Sequence, residues 1–593
     1  MKKNELFELT IEDMSKDGEG IGHLRDHEKD GLTVFVKDTA PGDRVLARML
    51  KEKKSYAYGR LERIIEPSPD RVEPLCGKAR SCGGCTLQHL SYEKQLELKQ
   101  KYVENCLSRI GGLENAAALM EPIIGMDEPW HFRNKMQFPV GRDKAGAPVA
   151  GFYAGHSHSL IALSDCPAGH PVNKEIIRGF TEYMKEESVT EYDEETHSGL
   201  VRHLLIRTGF ATGELMVCVI INGDKLPGQE VMVRKLRDAV ERYNKEQASY
   251  IRLGTVSINI NKEKTNRILG FSGRTIYGEP VIVDTIRDLK FEIAPESFFQ
   301  INPLQTERLY GKALEYAGLS GDETVWDMYC GIGTISLFLA GKAKQVYGVE
   351  IVPQAIENAR RNAEINGFSN TEFFAGKAEE VVPKCYEEDP QKYTADVVVV
   401  DPPRKGCDRA LLETIISMSP KRLVYVSCDP ATLARDIAIL NRGGFEVKRV
   451  TPTDMFPHSM HVETVAQLSK GDIDNGSSER SDAVKAGDFG MISGYSKGNK
   501  TPETTNVKID FSLENLDLSE LRGKATYEQI KDYVREQTGF RVSTLYISQV
   551  KKKCGLEVGE SYNKPKSEDA KQPQCTPEKE EAIMQALRHY GVI

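Results

Sequence analysis

Between Val325 and Glu350 the chain reads VWDMYCGIGTISLFLAGKAKQVYGVE, and this stretch narrows the possible folds more than any other. A short apolar run ends in Asp327, and the chain then turns through Cys330-Gly331-Ile332-Gly333-Thr334. Apolar residues follow at helical spacing in Ile335, Leu337, Phe338 and Leu339, which is the pattern of strand, glycine turn and helix. A second apolar run, Val346 to Val349, ends in Glu350, about 20 positions beyond Gly331, as in a nucleoside-binding βαβ unit. Glycines let the backbone approach a nucleoside, and a carboxylate at the next strand tip can hold two ribose hydroxyls.

The third glycine of the dinucleotide fingerprint is missing, since Ile335-Ser336 follow the turn. That argues against a pyrophosphate on the helix N-terminus and favours S-adenosylmethionine, which has an adenosine and an amino acid but no phosphate. The βα alternation continues through a helix over Gln354–Asn366 and strands over Thr371–Phe374, Ala395–Val400 and Arg422–Ser427, then a helix over Pro430–Asn441. Such spacing predicts a parallel, doubly wound α/β sheet whose ligands lie at the carboxyl ends of its strands. Asp327, Glu350, Asp401 and Cys428 all fall at such ends.

A chain of 593 residues holds several domains. Its 39% hydrophobic content is ample for several cores, and a net charge of −9 leaves any RNA contact to local patches. The N-terminus, MKKNELFELT, has no apolar signal region, and no run approaches the length of a membrane span. Twelve cysteines are too sparse and irregular for a disulfide scaffold, so the expectation is a cytoplasmic protein.

Residues 1–66 alternate apolar and polar positions between turns at Asp17-Gly18 and Pro41-Gly42-Asp43, which predicts a small β-barrel. The KEKK cluster at 51–54 with Tyr56, Tyr58 and Arg60 fits either an RNA-binding barrel face or a solvated hairpin. Cys76, Cys82 and Cys85 are close enough to be metal or cluster ligands, and Cys166, in SDCPAGHP, is the best fourth; zinc and a 4Fe–4S cluster both suit four thiolates. Tyr92–Ile110 reads as an amphipathic helix closed by Gly111-Gly112. The central region, 67–290, is mostly strands, with a helix over Val231–Glu246. A strand register places Arg133 and Lys135 on one face, as phosphate contacts or as plain surface charges. Gln300 lies at a strand edge where it either contacts a ligand or shapes a turn. The catalytic sheet is assigned to 291–469, a polar linker to 470–505, and a helical module to 506–593. In that module Thr576-Pro577-Glu578 marks a helix start. Ala525–Cys554 reads either as a helix-turn-helix or as part of a docking module.

Cys428 follows the buried-looking run LVYVS and precedes a helix start at Asp429-Pro430, a position expected to lower a thiol pKa. Glu463, in PHSMHVE, precedes the last strand-like run and is a general-base candidate. A thiolate beside a methyl donor suits C5 of uracil. Sulfur adding to C6 makes C5 nucleophilic, and a base must later remove the C5 hydrogen.

Together SFFQINP, WDMYCGIGT, GVE, DPPRKG, VSCDPATLARD and HVETV resemble the RNA uracil-5-methyltransferases. The N-terminal barrel is similar to an OB-like TRAM domain, and the cysteine pattern resembles the iron–sulfur motif of the branch acting on 23S rRNA. The resemblance covers about residues 5–468. It implies a Rossmann-like methyltransferase fold in which Gln300, Tyr329, Glu350 and Asp401 hold S-adenosylmethionine, with Cys428 as nucleophile and Glu463 as base. It also implies a 4Fe–4S cluster on Cys76, Cys82, Cys85 and Cys166, with zinc the lesser alternative. The implied partner is 23S rRNA, with tRNA as the rival substrate, for a monomer needing no membrane and no obligate protein partner. Thr334 stands where some members carry asparagine.

Overall fold

The computed structural model describes residues 3–25, 31–155, 157–470, 527–538, 540, 542–554 and 575–589. Two compact units are present, Met1–Ser477 and Ser478–Ile593. The expected linker beyond Lys470, the turn at Gly539 and the helix end at Tyr590 lie outside the described residues.

Six strands build the N-terminal part: β1 (Leu6–Thr10), β2 (Asp13–Met14), β3 (Gly20–His23), β4 (Thr33–Val36), β5 (Arg44–Glu52) and β6 (Tyr56–Glu66), in the order β1-β5-β6-β4-β3-β2. Their alternation buries Phe7, Leu9, Val34, Val36, Val45, Ala47 and Ala57 on one side. The sheet curls until β3 meets β1. A Cβ on Gly22 would strike the Thr10 carbonyl at 2.3 Å, so that position must be glycine for closure.

After the cysteine segment come α1 (Tyr92–Arg109) and the one-turn α2 (Ala116–Leu119). Ser91 caps α1 by accepting from the Lys94 N–H at 3.3 Å. The central sheet holds β7 (Lys135–Arg142), β8 (Pro148–Tyr153), β9 (Leu160–Ala162), β10 (Val201–Thr208), β11 (Glu214–Ile221), β12 (Arg252–Ile260) and β13 (Ser272–Gly278). Its order is β13-β12-β11-β10-β7-β8-β9. Two helices, α3 (Val172–Glu186) and α4 (Gln229–Gln247), cover one face through Ile176, Phe180, Met232 and Leu236 against Met136, Phe138, Leu204 and Ile206. Helix α3, in PVNKEIIRGFTEYMKEE, was not foreseen. A hairpin, β14 (Ile282–Ile286) and β15 (Leu289–Ile293), leads into the next domain.

That domain alternates α5 (Pro303–Ala317), β16 (Thr324–Asp327), α6 (Thr334–Ala340), β17 (Gln345–Glu350), α7 (Pro353–Ile365), β18 (Thr371–Ala375), α8 (Ala378–Glu388), β19 (Val397–Val400), α9 (Arg409–Met418), β20 (Arg422–Ser427) and α10 (Pro430–Arg442). It ends in β21 (Phe445–Thr453) and β22 (Glu463–Lys470), and the sheet order is β18-β17-β16-β19-β20-β22-β21. The doubly wound α/β expectation holds, with one correction. The sheet is not wholly parallel, because β22 pairs antiparallel with both β20 and β21. The short link after β21 permits only a hairpin-like return, and this puts Glu463 beside the carboxyl end of β20. Valines fill β19 completely, as a strand covered on both faces requires.

In the second unit α11 (Tyr527–Thr538), α12 (Thr544–Lys553) and α13 (Pro577–His589) share a core of Ile530, Val534, Ile547, Val550, Ile583 and Leu587. No helix among the described residues is long and apolar enough to cross a membrane.

Candidate active site

The loop between β16 and α6 is shaped by two left-handed glycines, Gly331 at φ 53° and Gly333 at φ 85°. A Cβ on Gly333 would sit 3.3 Å from Ala359, whereas one on Gly331 would meet nothing within 4 Å. Gly333 is therefore required for packing, while Gly331 faces open space where a ligand can approach the backbone. Asp327 closes β16 fully buried and accepts a hydrogen bond from the Ser336 hydroxyl at 2.6 Å. Burial outweighs that bond and pushes its carboxyl up to about 6. Glu350 ends β17 half-buried, its carboxylate accepting from the Val352 N–H at 2.9 Å, with exposed Ile351 and Val352 beside it.

Tyr329 is half-buried, and its hydroxyl meets the Cys407 thiol. Gln300 is buried in the loop before α5, where its carbonyl accepts from Asn134 Nδ2 at 2.8 Å and its side chain meets the Tyr310 hydroxyl. Tyr310 in turn lies 3.3 Å from Thr334 Oγ1. Asn302 caps α5 and donates to the Met455 carbonyl at 3.1 Å, tying this loop to the one before Glu463.

Cys428, Asp401, Glu463 and Arg404 meet at the ends of β19, β20 and β22. Glu463 is 3% exposed, and its Oε2 is buried without a hydrogen-bond partner. Burial raises its pKa, the nearby Asp401 adds to the rise, and Arg404 opposes it. Asp401 is likewise raised, by burial and then by Asp327. The Cys428 thiol is pushed up to about 12 by burial, with Glu463 and Asp401 adding and Arg404 opposing. This corrects the expectation of a lowered thiol. The start of α10 is close, but burial and two carboxylates outweigh its dipole. Arg404 itself is held from α10: Thr432 donates to its carbonyl at 3.3 Å, and Arg435 donates to the Lys405 carbonyl at 2.9 Å. Nothing in DPPRKG alone announced that arginine as the group facing Cys428.

A clamp fixes the loop that delivers Glu463. Lys99, in α1, makes a fully buried ion pair with Asp454 and donates to the Phe456 carbonyl at 3.0 Å. Tyr92 donates to Asp454 at 2.8 Å, and the Gln95 carboxamide accepts from the His458 N–H at 2.9 Å. The Thr86 and Leu87 N–H groups donate to the His458 carbonyl at 2.9 and 3.0 Å, while Trp130 stacks on the His458 ring at 3.7 Å. The cysteine segment is thus bonded directly to the loop before Glu463. Sequence reasoning missed this entirely.

The four predicted cysteines are brought together. Cys85 is pushed up to about 11 by burial, with Cys166 and Cys82 contributing. Cys82 and Cys166 are also raised by burial, each with Cys76 adding. All four are free thiols. Among the described residues no three metal-ligating side chains are close enough to hold a single metal ion. Arg133 faces Cys85 and Cys166, makes no ion pair among the described residues, and keeps its Nε buried without a partner there.

Residues 231–471 match the family described as tRNA (Uracil-5-)-methyltransferase, and residues 2–61 match the TRAM domain. An uncharacterised RNA methyltransferase of Halalkalibacterium halodurans is 48% identical over 468 residues, spanning 79% of this chain and 98% of that protein. The chain belongs to the RNA uracil-5-methyltransferase family. A second relative, an uncharacterised RNA methyltransferase of Clostridium acetobutylicum, is 46% identical over 80% of the chain and 98% of its own length. Among solved structures, the Pyrococcus abyssi tRNA (uracil-54, C5)-methyltransferase in complex with S-adenosyl-L-homocysteine superposes with a TM-score of 0.60. It is 28% identical and covers 78% of this chain and 100% of that one. The helical unit beyond residue 477 falls outside the matched family region.

Proposed function

We propose that this enzyme transfers a methyl group from S-adenosylmethionine to C5 of a uridine in 23S rRNA, through a transient bond between Cys428 and C6. The observation that carries the reading is the orphaned Glu463 Oε2, buried beside a thiol and a second carboxylate with no protein partner. A buried polar atom left unpaired is costly unless a substrate satisfies it. Cys428 adds to C6, and electron density moves to C5. S-adenosylmethionine supplies the methyl as a sulfonium, and C5 takes it. Glu463 then removes the C5 proton, the C5–C6 double bond returns, and the C6–S bond breaks to release the Cys428 thiolate. A carboxylate whose pKa is raised is the stronger base for that proton. Arg404, opposing the rise at both Cys428 and Glu463, favours the thiolate needed at the start.

The cradle fits the donor. The open space over Gly331 would admit the nucleoside, Glu350 at the end of β17 would hold the ribose hydroxyls, and exposed Ile351 would offer an apolar edge to a base. Gln300, Tyr329 and Asp401 complete that set. The four cysteines are read as holding a 4Fe–4S cluster, with zinc the lesser alternative. The buried, unpaired Nε of Arg133, facing Cys85 and Cys166, suits an anionic cluster. Bound there, the cluster would staple the segments that support the His458 loop.

A tRNA substrate is the second reading, favoured by the likeness to the Pyrococcus abyssi tRNA enzyme. Incubating the full chain with labelled donor and separate tRNA and 23S rRNA decides between them. Methyl transfer to neither would defeat both.

A further inference from the structure

The face of the central sheet turned away from α3 and α4 carries crowded cations that form no ion pair among the described residues, although Glu296 and Asp284 lie near Arg207. Lys135 and Arg207 are paired directly across β7 and β10. Their side chains therefore leave the same face roughly 5 Å apart at Cβ, where like charges destabilise a sheet. Arg133 lies two residues before Lys135, just outside β7, and its charge adds to the repulsion there. Arg207 is 1% exposed, and its sole side-chain bond among the described residues is from Nη2 to the Ser297 carbonyl at 2.9 Å. Its Nε and Nη1 are buried and unpartnered. Lys135, only half-buried, makes no hydrogen bond or ion pair among the described residues. Burial, Arg207 and Arg133 together push its ammonium down to about 8.

An arrangement so unfavourable in the free protein is sensible only if an anion relieves it. Arg133 already faces the thiols of Cys85 and Cys166, and Glu296 and Asp284 partly offset Arg207, so the unmet need falls chiefly on Lys135. Their pocket also touches the active site by a short route. Arg207 holds Ser297, and Asn134, beside Lys135, bonds both the Gln300 and the Ile301 carbonyls. Only Phe298 and Phe299 separate Ser297 from Gln300, so an anion here lies beside the loop that lines the proposed reaction site.

We propose that Lys135 and Arg207 form a recessed site for one backbone phosphate of the RNA strand that carries the target uridine. The proposal rests on the RNA-methylating reading and adds to it a defined contact on the central sheet. Lys135 meets the phosphate as a point charge, while Arg207, buried beneath it, adds its positive field rather than a direct contact. Such a contact positions the strand without reading its sequence.

The test uses the full chain and a fluorescein-labelled, uridine-containing RNA hairpin, with affinity measured by anisotropy across a KCl series. Lys135→Met is expected to weaken binding several-fold and to lower the slope of log affinity against log salt by roughly 0.7 to 0.9, the loss of one phosphate contact. Its melting temperature should stay the same or rise, because a repulsive cation has gone. The control Lys245→Met, on an exposed turn of α4 across the sheet, should leave the slope unchanged. An unchanged slope in Lys135→Met overturns the proposal, as does a lowered melting temperature, which would make Lys135 structural. Loss of S-adenosylhomocysteine binding in calorimetry would assign the pocket to the donor's carboxylate and overturn it too. These readouts do not need turnover, so a wild-type chain that methylates no RNA would defeat the function while leaving the pocket separately judged.

Discussion

Replacing Glu463 by glutamine should make the protein more stable and its chemistry incomplete, and the two effects share one cause. Glu463 is 3% exposed with Oε2 unpartnered, and its pKa is raised by burial and then by Asp401. Unfolded, it titrates near the ordinary value of 4.5. The folded state therefore holds a proton that the unfolded state has released, over the window from about 4.5 upward through the raised folded value. There stability must fall as pH rises, by up to about 1.4 kcal/mol per pH unit for one proton. Below the unfolded pKa both states are protonated and the penalty vanishes. Glu463→Gln cannot ionise, so its advantage over wild type should grow with pH. For a domain of this size the gap should widen by roughly 3–6 °C in melting temperature between pH 5.5 and 6.5. Asp327 titrates in both proteins, while Asp401 loses its charged neighbour in the variant, so the difference reports the Glu463–Asp401 pair. Fluorescence of the buried Trp326 in β16 reports the relevant sheet. With RNA and donor, the same variant should transfer methyl and stall, accumulating a protein–RNA adduct that survives denaturing electrophoresis, with turnover about 10²–10⁴-fold down. Parallel melting curves at all pH values would refute the argument, because Glu463 would then be ionised at no cost and would be no unusual base.

Cys428→Ala should abolish methyl transfer while RNA binding persists, and 5-fluorouridine RNA should trap wild type at position 428; trapping elsewhere would reject the mechanism. Arg404→Gln should slow iodoacetamide alkylation of Cys428 at fixed pH, since the cation opposing its raised pKa is lost, with peptide mass spectrometry as the readout. Anaerobically purified protein should carry about four irons, and Cys85→Ser should lose them together with the order of the His458 loop, seen as faster amide exchange there. Lys99→Met should cost about 3–5 kcal/mol by stranding Asp454 in the interior, and adding Asp454→Asn should recover part of it, both read by chemical denaturation.

What could be read from the chain beforehand divides along a physical line. Asp327, Glu350, Asp401 and Cys428 were legible because a parallel strand delivers its last residue to a known edge of the sheet, so local periodicity alone fixes where they gather. Glu463 was legible as the residue before a final apolar run, although β22 proved antiparallel and enters the site from its own first residue. Residues whose meaning depends on distant partners were opaque. Lys99 looks like one more lysine of α1 until Asp454, 355 positions later, is folded against it. Lys135 looked like a surface charge or a phosphate ligand, and only the register with Arg207 shows that its neighbours repel it. The thiol of Cys428 shows the rule most plainly. Its helix start is a local signal and predicted a lowered pKa, but burial and the carboxylates of Glu463 and Asp401 are set by tertiary structure and point the other way. A site that stores an unpaired carboxylate, a suppressed thiolate and unmet cations is balanced only when RNA and a cationic donor are both present. On the proposed mechanism, the free enzyme is thus held short of reactivity by the same groups that would perform the reaction.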